Sequence, residues 1–177
     1  MSIRARILNY VLKKYVKEVQ PPVEDRSYLE ARKMMNQNGY EDTKSSIVNA
    51  TLQKFIFNKK ISKIITNEIY LENIRTLTFD HGEFSNDKCI LYFHGGGYIA
   101  GSPETHQNLL SSIAEKSNLK VYAIDYSLAP EKPFPAALND AVESYKSLLR
   151  MGYKSKNIFI GGDSAGGNLS IVTILKL

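Results

Sequence analysis

The chain is poor in the residues that usually announce a disulfide scaffold, a metal site or a membrane span. It has one cysteine and three histidines, and no apolar run near the roughly 18 residues that a spanning helix needs. Cys89 lies in an apolar stretch without a partner, which excludes a disulfide framework and agrees with a reducing compartment. His81, Cys89, His94 and His106 match no zinc spacing, so a structural metal site is not expected. At the N-terminus, Arg4 and Arg6 precede a short apolar stretch, Ile7 to Leu12, interrupted by Asn9 and Tyr10 and closed by Lys13-Lys14. No small-residue cleavage site follows, so this is not a secretory signal, and the reading is a cytoplasmic protein without a transmembrane segment. Composition is that of a globular domain, 43% hydrophobic and 23% charged.

Charge is uneven. Residues 1–60 carry 12 Lys/Arg against 6 Asp/Glu, whereas residues 61–177 carry 11 against 12, within a net +5. The basic character therefore belongs to the N-terminal segment. A solvated helix face explains it, as would a weak contact with a membrane surface or an acidic ligand. Nucleic acid is not an expected partner, because no recognition motif accompanies the charge.

Periodicity divides the chain at about residue 62. Residues 2–19 predict an amphipathic helix with Leu8, Leu12, Tyr15, Val16 and Val19 on one stripe, ended by Pro21-Pro22. Residues 26–38 predict a second helix, stopped by Gly39; residues 43–62 carry no clear pattern. This N-terminal helical segment, 1–62, gives way to β-branched and aromatic residues. Strands are expected at 64–71 and 74–79, with a turn at Asp80-His81-Gly82. A strand at 88–93, a helix at 103–116, a strand at 119–126, a helix at 135–150 and a strand at 157–160 follow. Ser102 is the expected cap of the first of these helices and Pro103 its first residue. Leu138, Ala141, Val142, Tyr145, Leu148 and Leu149 form the apolar stripe of the second. Such alternation implies, for residues 63–177, an α/β domain with a mostly parallel sheet covered on both faces.

Two glycine-rich turns carry the chemistry. Gly162-Asp163-Ser164-Ala165-Gly166 follows an apolar strand and precedes a helix-compatible stretch, Asn168 to Leu175. A serine there sits on a sharp strand-to-helix corner with its hydroxyl pushed out, and Gly162 and Gly166 are small because side chains would collide across the corner. The following helix aims its positive end at the serine oxygen. His94-Gly95-Gly96-Gly97, at the end of another strand, bares backbone N–H groups of the kind that stabilise a tetrahedral oxyanion. A parallel sheet brings both turns to one edge. Two rival readings fail. Gly95-x-Gly97-x-x-Ala100, with Asp125 ending the next strand, fits a loose dinucleotide fingerprint, but the helix start at Ser102-Pro103 lies well past the glycines. Gly161 and Gly166 have phosphate-loop spacing, but Gly167 stands where lysine is required.

With Tyr98 after the first turn, Asp125-Tyr126-Ser127-Leu128-Ala129-Pro130-Glu131, Phe134-Pro135-Ala136-Ala137 with Asp140, and Gly167-Asn168-Leu169 after the second, the chain resembles the hormone-sensitive-lipase branch of the α/β-hydrolases, which includes bacterial acetyl esterases and carboxylesterases. The resemblance runs from about residue 64 to the C-terminus. It departs from the family at Ser127, where the family usually has arginine, and it likens the N-terminal segment to that branch's cap. It implies Ser164 as nucleophile and the N–H groups of Gly96, Gly97 and Ala165 as oxyanion hole. His94 and Gly95 would brace the glycine loop, Asp163, Gly162 and Gly166 would support the corner, and Tyr98 would border the pocket. The reaction implied is hydrolysis of a small-molecule carboxylic ester through a serine acyl-enzyme, without cofactor.

In that fold the order along the chain is serine, then Asp or Glu, then histidine. Residues 165–177 contain no Asp, Glu or His, and all the histidines precede Ser164. His94 belongs to the glycine loop, and neither His81 nor His106 is expected to serve as base. The expectation is therefore a chain truncated after the nucleophile corner, alone inactive or very weak. Half of a split enzyme, completed by a C-terminal chain, and a non-catalytic ligand- or protein-binding module are the alternatives. The strand at 157–160 would be an apolar sheet edge open to self-association.

Overall fold

A computed structural model describes residues 30, 32, 33, 36, 64–80, 82 and 87–177. The chain divides into two compact units, Met1–Ala31 and Arg32–Leu177, and every strand and helix named below belongs to the second. The helix expected at 2–19, the stop at Gly39, the unassigned stretch 43–62 and His81 lie outside the described residues. Of the helix expected at 26–38, the described positions Glu30, Arg32, Lys33 and Asn36 are helical.

Among the described residues, five strands form one sheet: β1 Ile65–Leu71, β2 Ile74–Asp80, β3 Cys89–Phe93, β4 Lys120–Ile124 and β5 Ile158–Gly162. Their spatial order is β1-β2-β4-β3-β5. A two-residue turn joins β1 to β2, with Leu71 opposite Ile74 and Glu72 at φ 54°. β2 runs antiparallel to β4, and β3 runs parallel to both β4 and β5. The strand–helix–strand alternation thus yields the parallel half of the sheet, and the hairpin adds an antiparallel margin.

Alternation along the strands builds two cores. Leu91, Phe93, Tyr122 and Ile124 point to one face, where they pack with Ala141 and Leu148 of α2 (Ala136–Arg150) and Leu169 of α3 (Ala165–Lys176). Tyr92, Val121 and Ala123 point to the other, against Leu110 and Ala114 of α1 (Gln107–Ser117). Period-2 strands between helices of period 3.6 thus give three layers.

Several boundaries differ from expectation for identifiable reasons. The helix expected at 103–116 opens as a 3-10 turn, Glu104–His106, before α1 begins at Gln107. Ser102 and Thr105 cap that turn reciprocally: the Ser102 amide donates to Thr105 Oγ1 at 3.0 Å, and the Thr105 amide to Ser102 Oγ at 3.4 Å. Asn118 ends α1 in the left-handed conformation, φ 56°. The buried stripe of α2 is Ala141, Ser144, Ser147 and Leu148, so Leu149 lies half out at 38% exposure while two serines lie in. β5 runs through Gly161 and Gly162 to the corner, since ladder pairing to β3 outweighs the weak strand preference of glycine. It forms one margin of the sheet, with Phe159 49% exposed. On α3, Leu169, Ser170 and Thr173 are buried. Its outer face, however, presents Ile171, Ile174 and Leu175 to solvent.

Candidate active site

β3 and β5 are neighbours, with Phe93 opposite Gly162, so the turns that leave them start side by side. Ser164 sits between β5 and α3 at φ 50°, ψ −118°, a conformation that costs a non-glycine residue on the order of 1–3 kcal/mol, and it is exposed. Close packing around it requires the glycines. A Cβ on Gly162 would meet the Gly166 backbone and lie 2.5 Å from the Phe93 carbonyl oxygen; one on Gly166 would run into that same carbonyl and lie 2.7 Å from the His94 oxygen. Ala165 opens α3, so its amide is among the N–H groups that a helix start leaves without an intrahelical acceptor.

The glycine loop turns back on itself, with the Ile99 and Ala100 amides donating to the Gly96 carbonyl at 3.1 and 3.0 Å. Gly96 and Gly97 have φ of 128° and 64°, a path that side chains would strain. Tyr98 follows at φ 63°, and its hydroxyl donates to Asn168 Oδ1 on α3 at 2.7 Å. Asp163 joins the two turns a second time. Its Oδ1 accepts the Gly95 amide at 2.9 Å and the Tyr92 hydroxyl at 3.0 Å, and a Cβ on Gly95 would collide with its carboxylate.

Among the described residues, neither histidine is bonded to Ser164. His94 is buried, stacked on Tyr126 with ring centroids 4.2 Å apart, and its Nδ1–H donates to the Gly95 carbonyl at 2.8 Å. Its Nε2 has no partner. Burial lowers its pKa to about 4, so it stays neutral. His106 meets Asp163 instead, Nε2 to Oδ1 at 3.4 Å.

The Asp125–Glu131 loop is held by its own contacts. Asp125 meets Arg75 at 3.2 Å, Tyr126 donates to the His94 carbonyl at 2.7 Å, and the Ser127 amide donates to Asp140 Oδ2 at 2.8 Å. Arg32 then clamps the loop to the glycine turn. It donates to the Ile99 carbonyl at 2.5 Å, the Ala129 carbonyl at 2.6 Å and both Glu131 carboxylate oxygens at 2.7 Å. Asn36 Oδ1 accepts the Gly101 amide at 2.9 Å. Sequence reasoning did not single out Arg32, Asn36, Tyr92 or Asn168, since no local spacing marks partners 65 to 99 residues away. For His106 a signal existed in the Ser102-x-x-Thr105 capping pattern, which fixes the neighbouring ring.

A strand running into a strained serine corner, beside a second strand running into a glycine turn, is the arrangement of the α/β-hydrolase fold. The family model described by that fold matches residues 90–177. The chain's relatives there include an acetyl-hydrolase of Streptomyces hygroscopicus, 40% identical over 90 residues, or 51% of this chain and 30% of that protein. Human hormone-sensitive lipase is 41% identical over 91 residues, or 49% of this chain and 8% of that protein. A solved esterase/lipase from an uncultured bacterium superposes on 99% of this chain and 53% of its own, with a TM-score of 0.78 and 28% identity. The chain thus spans about half the length of that solved esterase, and its matched segment under a third of either relative. No helix among the described residues is long and apolar enough to cross a membrane.

Proposed function

We infer that this chain carries the nucleophile half of a carboxylic-ester hydrolase that works through a serine acyl-enzyme. Ser164 attacks the ester carbonyl, and the amides of Gly96, Gly97 and Ala165 receive the oxyanion. The histidine that takes the Ser164 proton, and the carboxylate that orients it, come from polypeptide outside these 177 residues. The observation that carries the reading is the exposed Ser164 at φ 50°, beside a glycine loop tied to the preceding residue by the 2.9 Å bond from Gly95 to Asp163. The separate engagement of His94 and His106 supports an external base.

The test is turnover of a short-chain p-nitrophenyl ester by the purified chain, alone and mixed with a separately expressed C-terminal half of a solved family esterase. Alone, the chain should give no more than about 10³-fold over water, the level that an oxyanion hole and binding provide without a triad. The mixture should restore turnover that Ser164→Ala removes. Full Ser164-dependent turnover by the chain alone would refute the external base; a folded complementing mixture without any would refute the hydrolase.

The exposed Ile171, Ile174 and Leu175 on α3, beside the β5 margin, favour a second reading: a non-catalytic binding module that associates through this face. It requires a monodisperse, cooperatively folding chain that binds an acyl ligand without turnover.

A further inference from the structure

His106 ends the 3-10 turn Glu104–His106 that follows the glycine loop. Its two nitrogens face acceptors. On one side, Nδ1 lies 3.2 Å from the Ser102 carbonyl oxygen and 2.9 Å from Thr105 Oγ1. Thr105 has one hydroxyl hydrogen, which serves the Ser102 carbonyl at 2.8 Å when Nδ1 carries a proton and can serve Nδ1 when it does not. On the other side, Nε2 lies 3.4 Å from Asp163 Oδ1, a carboxylate oxygen already accepting from Gly95 and Tyr92. The tautomer with its hydrogen on Nδ1 alone sets a bare Nε2 lone pair against the carboxylate, so Nε2 carries a hydrogen; the imidazolium adds charge to that contact and a second donor toward the Ser102 carbonyl.

The groups around the ring agree. Asp163 beyond β5 and Tyr92 on β3 form the acceptor side. His94, with its ring centroid 5.7 Å away, is buried and neutral, and its Nδ1–H is committed to the Gly95 carbonyl. Glu104, on the same 3-10 turn, is engaged by Arg75. Thus the pKa values of the two adjacent histidines are displaced in opposite directions. Burial lowers the His106 pKa, but the bond to Asp163 outweighs it and the net displacement is upward. Asp163 moves down: burial would raise it, and His106, Tyr92 and the Gly95 amide together outweigh that.

We propose that His106 is a positioning residue of the glycine loop: as an imidazolium it holds Asp163 Oδ1 against the Gly95 amide, so that one proton on a partly exposed histidine sets the geometry of the amides that follow. The proposal rests on reading Gly96 and Gly97 as oxyanion donors. The neutral ring keeps its remaining hydrogen on Nε2, facing the carboxylate, with Thr105 able to donate to Nδ1, so loss of the second proton removes the charge from the Nε2–Oδ1 contact and weakens it. Asp163 is then held less firmly against the amide of Gly95, the residue before Gly96.

The test is a pH titration of the 177-residue chain by nuclear magnetic resonance, following the His106 ring nitrogens and the Gly95 amide. His106 is expected to remain doubly protonated above the midpoint of free imidazole, and the Gly95 amide shift should follow it with the same midpoint. Asp163→Asn should lower the His106 midpoint, and His106→Gln should leave the Gly95 amide flat over that range. A His106 that titrates at or below free imidazole, or a Gly95 amide flat while His106 titrates in the unaltered chain, overturns the proposal. Ester turnover takes no part in this readout, so failure here leaves the complementation test standing, and failure there leaves the proton linkage standing.

Discussion

The Gly95 amide donates to Asp163 Oδ1 at 2.9 Å across 68 positions of sequence, and this bond ties the start of the glycine loop to the residue before Ser164. It depends on a missing side chain, because a Cβ on Gly95 would occupy the space of the Asp163 carboxylate. The tie and the ladder between β3 and β5 fix the corner twice over.

The glycines of the corner should separate sharply on substitution. Gly166→Ala drives a methyl into the Phe93 carbonyl, which is backbone and cannot swing away, so a loss of about 3 kcal/mol is expected. Gly161→Ala adds a methyl with nothing within 4 Å and should be neutral, or stabilising by about 0.5–1 kcal/mol. Urea unfolding midpoints of the two variants, measured side by side, check this.

Arg32→Ala should loosen the glycine loop from the Asp125–Glu131 loop. The two partly buried bonds to the Ile99 and Ala129 carbonyls account for about 1–2 kcal/mol. Arg32→Lys should recover little of this, because a single ammonium cannot reproduce the fork. Glu131→Gln should cost less than either, since Glu131 is solvent-exposed. Denaturant titration of the three variants supplies the ranking.

Acid should destabilise the chain through His94. Its folded pKa of about 4 lies below the ordinary 6.5, so the folded state refuses a proton that the unfolded chain accepts. Nothing is lost above pH 6.5. Roughly 3 kcal/mol goes progressively as pH falls from 6.5 to 4. His106 has the opposite sign: its raised pKa gives a contribution that is full below 6.5 and fades as pH rises through the folded value. Unfolding free energies at pH 6.5 and 4.5 for the unaltered chain and His94→Gln should show a flatter dependence in the variant.

Cys89 should be chemically silent until the chain opens. It is fully buried, and burial pushes its thiol up to about 12. Modification by a disulfide reagent at neutral pH should proceed at the rate of unfolding and become immediate in denaturant. Rapid labelling of the folded chain would contradict the packing of β3 against β5.

Much of this architecture was legible in the sequence because it depends on short-range patterning. The apolar runs at Ile90 to Phe93 and Val121 to Ile124, the stripe from Leu138 to Leu148 and the two glycine turns gave the parallel units in the right order. The insertion of β4 between β2 and β3 was not legible, since pairing order depends on which edges meet and not on spacing. Nor could the sequence reveal that Ser144 and Ser147 turn inward on α2, where small side chains fit the close approach better than Leu149. At the site, the turns could be read but not their ties. Arg32 to Glu131, Tyr98 to Asn168 and Asp163 to Gly95 are polar contacts across 68 to 99 residues, made by residue types that usually face water.

The strand order has a consequence for how this protein is made. Cys89 to Phe93 find their outer partners at Ile158 to Gly162, so a chain emerging from the ribosome exposes one flank of β3 while α1, β4 and α2 are translated and docked. The glycine turn is synthesised early but takes its shape late, when Asp163 arrives to receive Gly95. A pause in translation before residue 158 would therefore leave a nascent protein with a sticky central strand, in need of a chaperone over that interval.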